Sequence, residues 1–203
     1  MIYPKRKFSE TNRKRRIVGQ SNIIIAVPGW LRAVEAAQAG TFPSVEARVA
    51  LAVELAQRNI DQGTGGPFGA AVFDLTTHTL VAAGVNLVTS AACSIAHAEM
   101  VAIARTQQRL KTWDLSAVGR FELATSCAPC AMCLGAVPWS GVCALSCGAR
   151  DEDARAIGFD EGAKPADWAG ELEKRGITVT QDILRERAAA VLRAYAAAGG
   201  KIY

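Results

Sequence analysis

Residues 121–148 read FELATSCAPCAMCLGAVPWSGVCALSCG. The run from Phe121 to Thr125 is short and β-favouring, and Pro129 suits the first turn of a helix over Cys130 to Trp139. Beyond it, Val142 to Cys147 is an apolar run bounded by Gly141 and Gly148, the pattern of a strand buried on both faces. Strand, helix and strand at these lengths form a parallel crossover. The stretch therefore sets an α/β class.

The flanks extend the same unit. Upstream, apolar residues recur at helical spacing from Ser44 to Asp61, with Gly63 as a stop signal. Gly65-Gly66-Pro67 forms a loop, and Ala70 to Leu75 and Leu80 to Val88 read as a hairpin turning at Thr76-Thr77-His78. Residues 97–111 are rich in Ala and long side chains and should be helical. Downstream, Ile177 to Thr180 gives a last strand and Asp182 to Ala198 a last helix. The expectation is a three-layer α/β/α domain over residues 23–203, with a mixed sheet of about five strands and helices on both faces.

Half of the 203 residues are apolar, enough for a substantial core without disulfides. The net charge of +4 is unevenly spread: the first sixteen residues carry +6 and the remainder −2. A body with that balance lacks the basic footprint of a protein devoted to polyphosphate strands, so nucleic acid is an unexpected partner. Residues 1–22 have no periodic apolar pattern and are expected to be a basic, disordered extension, with order beginning near Val27. No apolar run reaches the roughly 18 to 20 residues of a membrane span. The five-residue run Ile23 to Val27 is short for an export signal. Six cysteines cluster between Cys93 and Cys147 instead of framing a small core, which reads as metal chemistry in a reducing, cytoplasmic setting.

Two motifs carry the chemistry, His97-Ala98-Glu99 and Pro129-Cys130-Ala131-Met132-Cys133. Cysteines three apart on a first helical turn point the same way, and a helix N-terminus favours their thiolates. Of the two histidines, His78 lies in the hairpin turn, which leaves His97 as the third ligand for one Zn2+. Three protein ligands leave a fourth position for a water made acidic by the metal, and Glu99 is placed to carry its proton. His-x-Glu followed by Pro-Cys-x-x-Cys is the signature of zinc nucleobase deaminases. A structural zinc ribbon would need a second Cys-x-x-Cys or His pair. Cys143 and Cys147 are instead read as core residues.

From about Val49 to Tyr203 the chain resembles bacterial guanine deaminases of the cytidine-deaminase superfamily, including members that also act on the triazine ammeline. The resemblance lies in Gly65 through Ala70, His97-Ala98-Glu99, Thr125 through Gly141, and Ile157-Gly158-Phe159-Asp160-Glu161. It implies hydrolytic deamination of guanine to xanthine and ammonia by a zinc-bound hydroxide, with Glu99 as proton shuttle. It also implies base-binding residues Phe68, Asn86, Ala98, Glu161 and Tyr203: Phe68 stacks on the ring, Asn86 hydrogen-bonds the base, Glu161 takes the edge bearing the amine, and Tyr203 helps close the site. The implied assembly is a homodimer that exchanges its C-terminal segment. Without the resemblance, Phe68 would be a loop aromatic, Asn86 a turn residue and Glu161 a solvated charge. One departure stands out: Ala128 replaces the Glu that commonly precedes the Pro-Cys pair, beside an extra thiol at Cys127. The alternatives are deamination of ammeline, cytosine or tRNA adenosine, and a non-catalytic zinc protein that binds nucleic acid through the arm.

Overall fold

The computed structural model describes residues 23–38 and 40–203, so the expected extension over residues 1–22 lies outside the described residues. Helix α1 spans Gly29–Ala37 and α2 spans Val45–Asp61. Ser44 caps α2, its hydroxyl accepting from the Ala47 N–H at 3.2 Å, and Glu46 sits where the helix dipole favours a negative charge. The hairpin follows as β1, Gly69–Asp74, and β2, Thr79–Val85. Next come α3, Ala98–Leu110, β3, Phe121–Cys127, α4, Ala131–Ser140, and β4, Ala144–Ala149. The chain ends with α5, Asp151–Ala156, α6, Trp168–Glu173, β5, Thr178–Thr180, and α7, Arg185–Ala197.

The five strands lie in the order β2-β1-β3-β4-β5. β1 is antiparallel to β2 and β3, whereas β3, β4 and β5 run parallel, so the β3-α4-β4 segment is the expected crossover. β4 begins at Ala144, two residues later than its apolar run suggests. Hydrophobicity marks the burial of Val142 but not the pairing register, which opens with Ala144 opposite Glu122.

Alternation along β1 divides the core. Ala71 and Phe73 pack with α2 and α7 on one face, while Ala70 and Val72 pack with α3 and α4 on the other. β2 and α3 come unusually close: a Cβ on Gly84 would lie 2.2 Å from the Ala98 carbonyl and 2.5 Å from the Ala102 nitrogen. Only glycine permits that approach, and it sets the height at which α3 starts. Among the described residues no helix is long and apolar enough to cross a membrane.

Candidate active site

Helices α3 and α4 begin at the same end of the sheet, and each opens with a chemical motif. His97 is the N-cap of α3, Cys130 the N-cap of α4, and Cys133 lies in the first turn of α4. The His97 Nδ1 is 3.5 Å from both sulfur atoms, and all three donor atoms lie within 4.8 Å of one another. Zinc bonds of about 2.0 Å to nitrogen and 2.3 Å to sulfur at a tetrahedral angle would separate those atoms by about 3.6 Å. The donor set and its spacing fit zinc.

The electrostatics point the same way. The bond from the Cys133 thiol lowers Cys130 to about 4, helped by His97, and the same bond pushes Cys133 up. The pair thus holds one negative charge easily and resists a second, which a bound dication would stabilise. Burial opposes charge on His97, yet the bond with Cys130 and the neighbouring Glu99 leave it raised. Glu99, buried in the first turn of α3, is raised by burial and by the Cys130 charge.

A cavity of about 90 Å³ opens beside these groups, lined by Phe68, Asn86, His97, Glu99, Ala128, Cys130, Phe159, Asp160, Glu161 and Tyr203. Buried Asn59 positions one wall: its side-chain N–H2 donates to the carbonyls of Gly66 and Asn86, each at 2.8 Å. The Asn86 Oδ1 accepts from the Val88 N–H at 3.2 Å, so its amide N–H2 is free to serve a ligand. Part of the lining is aromatic, with the Phe159 ring edge-on to Phe68 at 4.9 Å and to Tyr203 at 5.3 Å. Glu161 is only 5% exposed, and burial, with the charges at Cys130 and Glu99, pushes its carboxyl up to about 8.

Residues 44–149 match the model of the cytidine and deoxycytidylate deaminase zinc-binding region. The chain belongs to that deaminase family. It is 36% identical over 135 residues to guanine deaminase of Bacillus subtilis (strain 168), covering 66% of this chain and 83% of that one. Among solved structures, guanine deaminase from Nitrosomonas europaea is 46% identical with a TM-score of 0.82, the match spanning 88% of this chain and 98% of that one. NE0047, solved with 2,6-diaminopurine, is 47% identical with a TM-score of 0.83 over 90% and 97% of the two chains.

Within this deaminase fold the expected site residues assemble with two differences. Ala98 does not line the cavity; its methyl group packs with Ala70 and Ala102 in the core, because α3 turns that position toward the sheet. Tyr203, expected to reach a partner's pocket, is seated in the pocket of its own chain. Phe159 and Ala128 join the lining without having been singled out as ligand-contacting residues. Asn59 was also missed, although an Asn on the apolar face of α2 is a buried polar group that needs partners. Cys127 is buried, its thiol donating to the Arg150 carbonyl at 3.6 Å, and Ala128, also buried, brings only a methyl group to the cavity lining.

Proposed function

We propose that the protein hydrolyses guanine to xanthine and ammonia, with ammeline as a second substrate. The observation that carries this reading is the convergence of a zinc-type donor set, Glu99 and Glu161 on one small cavity. Zinc held by His97, Cys130 and Cys133 would supply the Lewis acidity that makes water a nucleophile near neutral pH. Two thiolates and a neutral imidazole balance the charge of that dication, which suits an uncharged heterocycle. Glu99 accepts the proton of the attacking water and returns protons to the ring nitrogen and the departing amine. Phe68 presents its ring to the flat base, and the Asn86 amide N–H2 donates to a base acceptor. Ionised, Glu161 accepts from two neighbouring N–H groups; protonated, it meets an edge that pairs an N–H with a ring nitrogen. Guanine offers both kinds of edge at the carbon bearing its amine.

The six cysteines stay unpaired in this fold, in keeping with a reducing, cytoplasmic location. A homodimer belongs to this reading as its assembly, on the strength of the resemblance alone, with each chain closing its pocket with its own Tyr203.

The test is ammonia release from guanine, ammeline, cytosine, adenine and a tRNA by wild type and by Glu161→Ala, with zinc measured in both. Guanine and ammeline should be the good substrates. Glu161→Ala should keep its metal and lose about ten- to a hundredfold or more in kcat/KM for guanine. Equal values at equal metal loading would make Glu161 a bystander and remove the argument for guanine.

A further inference from the structure

Lys164 follows Glu161 by three residues, and its side chain is only 5% exposed. Lysine ammonium groups ordinarily reach water, so a buried one needs partners for its charge and its three donors. Here the Nζ donates to the Pro129 carbonyl at 2.5 Å, pairs with the Asp151 carboxylate at 2.8 Å, and lies 5.0 Å from the centre of the Trp168 ring. Those partners come from three segments: the turn into α4, the start of α5 and the start of α6. Pro129 directly precedes Cys130.

A second tie joins the loop that carries Glu161 and Lys164 to the start of α4. The Ala131 N–H donates to the Glu161 carbonyl at 2.9 Å. Pro129 and Ala131 flank Cys130, so the loop from Glu161 to Lys164 is fastened on both sides of a zinc-type ligand, by a backbone bond at one end and a buried ammonium at the other. A third bond, from the Arg155 guanidinium to the Gly162 carbonyl at 2.7 Å, lies on the exposed side.

We propose that Lys164 is a positioning residue for base recognition, its buried ammonium fixing the loop that carries Glu161 to the start of α4. This rests on the reading of Glu161 as the group that meets the base. Lys164 touches neither base nor metal in this scheme. It holds the distance between the carboxyl that recognises the base and the cysteine beside which the base reacts, a distance that a backbone bond at Ala131 alone leaves free to hinge. Errors of about 1 Å in such a placement are enough to cost on the order of a hundredfold.

The experiment is a double-mutant cycle in the full-length zinc-loaded enzyme. Lys164→Met keeps the stem over Trp168 and removes the ammonium. It should retain one zinc per chain and raise KM for guanine by about tenfold or more, with a smaller fall in kcat, and Lys164→Arg should recover part of the loss. In a Glu161→Ala background, Lys164→Met should cost less than about twofold further, because the residue it positions no longer makes its contact. A KM like that of wild type in Lys164→Met, or an equal loss in both backgrounds, would overturn the proposal. If Lys164→Met fails to fold, Asp151→Asn, which removes the counter-charge of the buried ammonium, is carried through the same cycle with the same two deciding outcomes. Wild type that releases no ammonia from guanine refutes the guanine reading instead, and the cycle is then read on whichever base it does deaminate.

Discussion

Glu99 holds its place through its neighbours on α3. It lies two residues beyond His97, so the first turn of the helix carries both the ligand and the acid–base group, and Gly84 fixes how deep that turn sits against β2. Burial raises the Glu99 carboxyl, with the Cys130 charge adding to it, so it binds a proton more readily than a surface glutamate. That suits a group that must pick up a proton and pass it on. Glu99→Gln removes this capacity while sparing all three donor atoms. It should keep one zinc per chain by metal analysis and lose about a hundred- to ten-thousandfold in kcat; turnover at the wild-type rate would exclude Glu99 as the proton carrier. At this scale the sequence was most informative, because Cys-x-x-Cys on a helix start and a histidine two before a glutamate have few other uses. Asn59 and Lys164 were illegible for the opposite reason: an Asn and a Lys are common everywhere, and only the fold shows that the side chains of these two are buried, with both Asn59 donors used and the Lys164 ammonium held by a carbonyl and a carboxylate.

Among the elements, α1 escaped the sequence reading. It is short, its cap position Pro28 offers no side-chain bond, and only Leu31 and Val34 are buried, too few to make a helical period stand out. What secures it is Glu35, whose partners lie far along the chain. β2 is an edge strand, and its open side is closed by charge: the Ala83 N–H donates to Glu35 at 2.7 Å, while Arg105 donates to both Glu35 oxygens and to the Ala83 carbonyl. Arg109 bonds the same carboxylate and the Val81 carbonyl. Edge groups left bare invite pairing with another chain, so the cluster protects the sheet as well as anchoring α1. Burial alone would raise the Glu35 carboxyl, but the bonds from Arg105, the Ala83 N–H and Arg109 outweigh it and hold it below its usual 4.5. A carboxyl depressed on folding stabilises the protein above its unfolded value, and the gain is lost as pH falls through the folded one. Glu35→Gln should therefore cost about 2 kcal/mol in urea unfolding at pH 7. The deficit should begin to shrink once the pH drops below about 4.5 and vanish below the folded value. Equal stability of the two proteins at pH 7 would show that the cluster contributes nothing.

Across the whole molecule, the last residues return to the cavity that the first strand and its loop began. After α7 the Gly200 N–H bonds the Tyr195 carbonyl at 2.9 Å, and the Tyr195 hydroxyl donates to the Lys201 carbonyl at 2.8 Å, which turns the tail back across the pocket. Tyr203 then sets its ring against Phe159 and its hydroxyl over Gly66, where a Cβ would come within 2.3 Å of it. Among the described residues that hydroxyl is buried without a hydrogen-bond partner, as expected of a group that waits for a ligand or a water. Removing residues 201–203 should therefore leave zinc content intact and raise KM for guanine by about tenfold or more, and Tyr203→Phe should show the smaller share that belongs to the hydroxyl. Full activity of the shortened chain would mean that the tail does not close the site. Co-expressing the shortened chain with Glu99→Gln separates closure within a chain from exchange between chains. The shortened chain keeps a working Glu99 and lacks a tail, and the other has a tail and no shuttle. Because one chain already seats its own Tyr203, the mixture should be no more active than the shortened chain alone. Recovery of turnover would show that the tail is donated across a dimer, and Tyr203 would then belong to the partner's pocket.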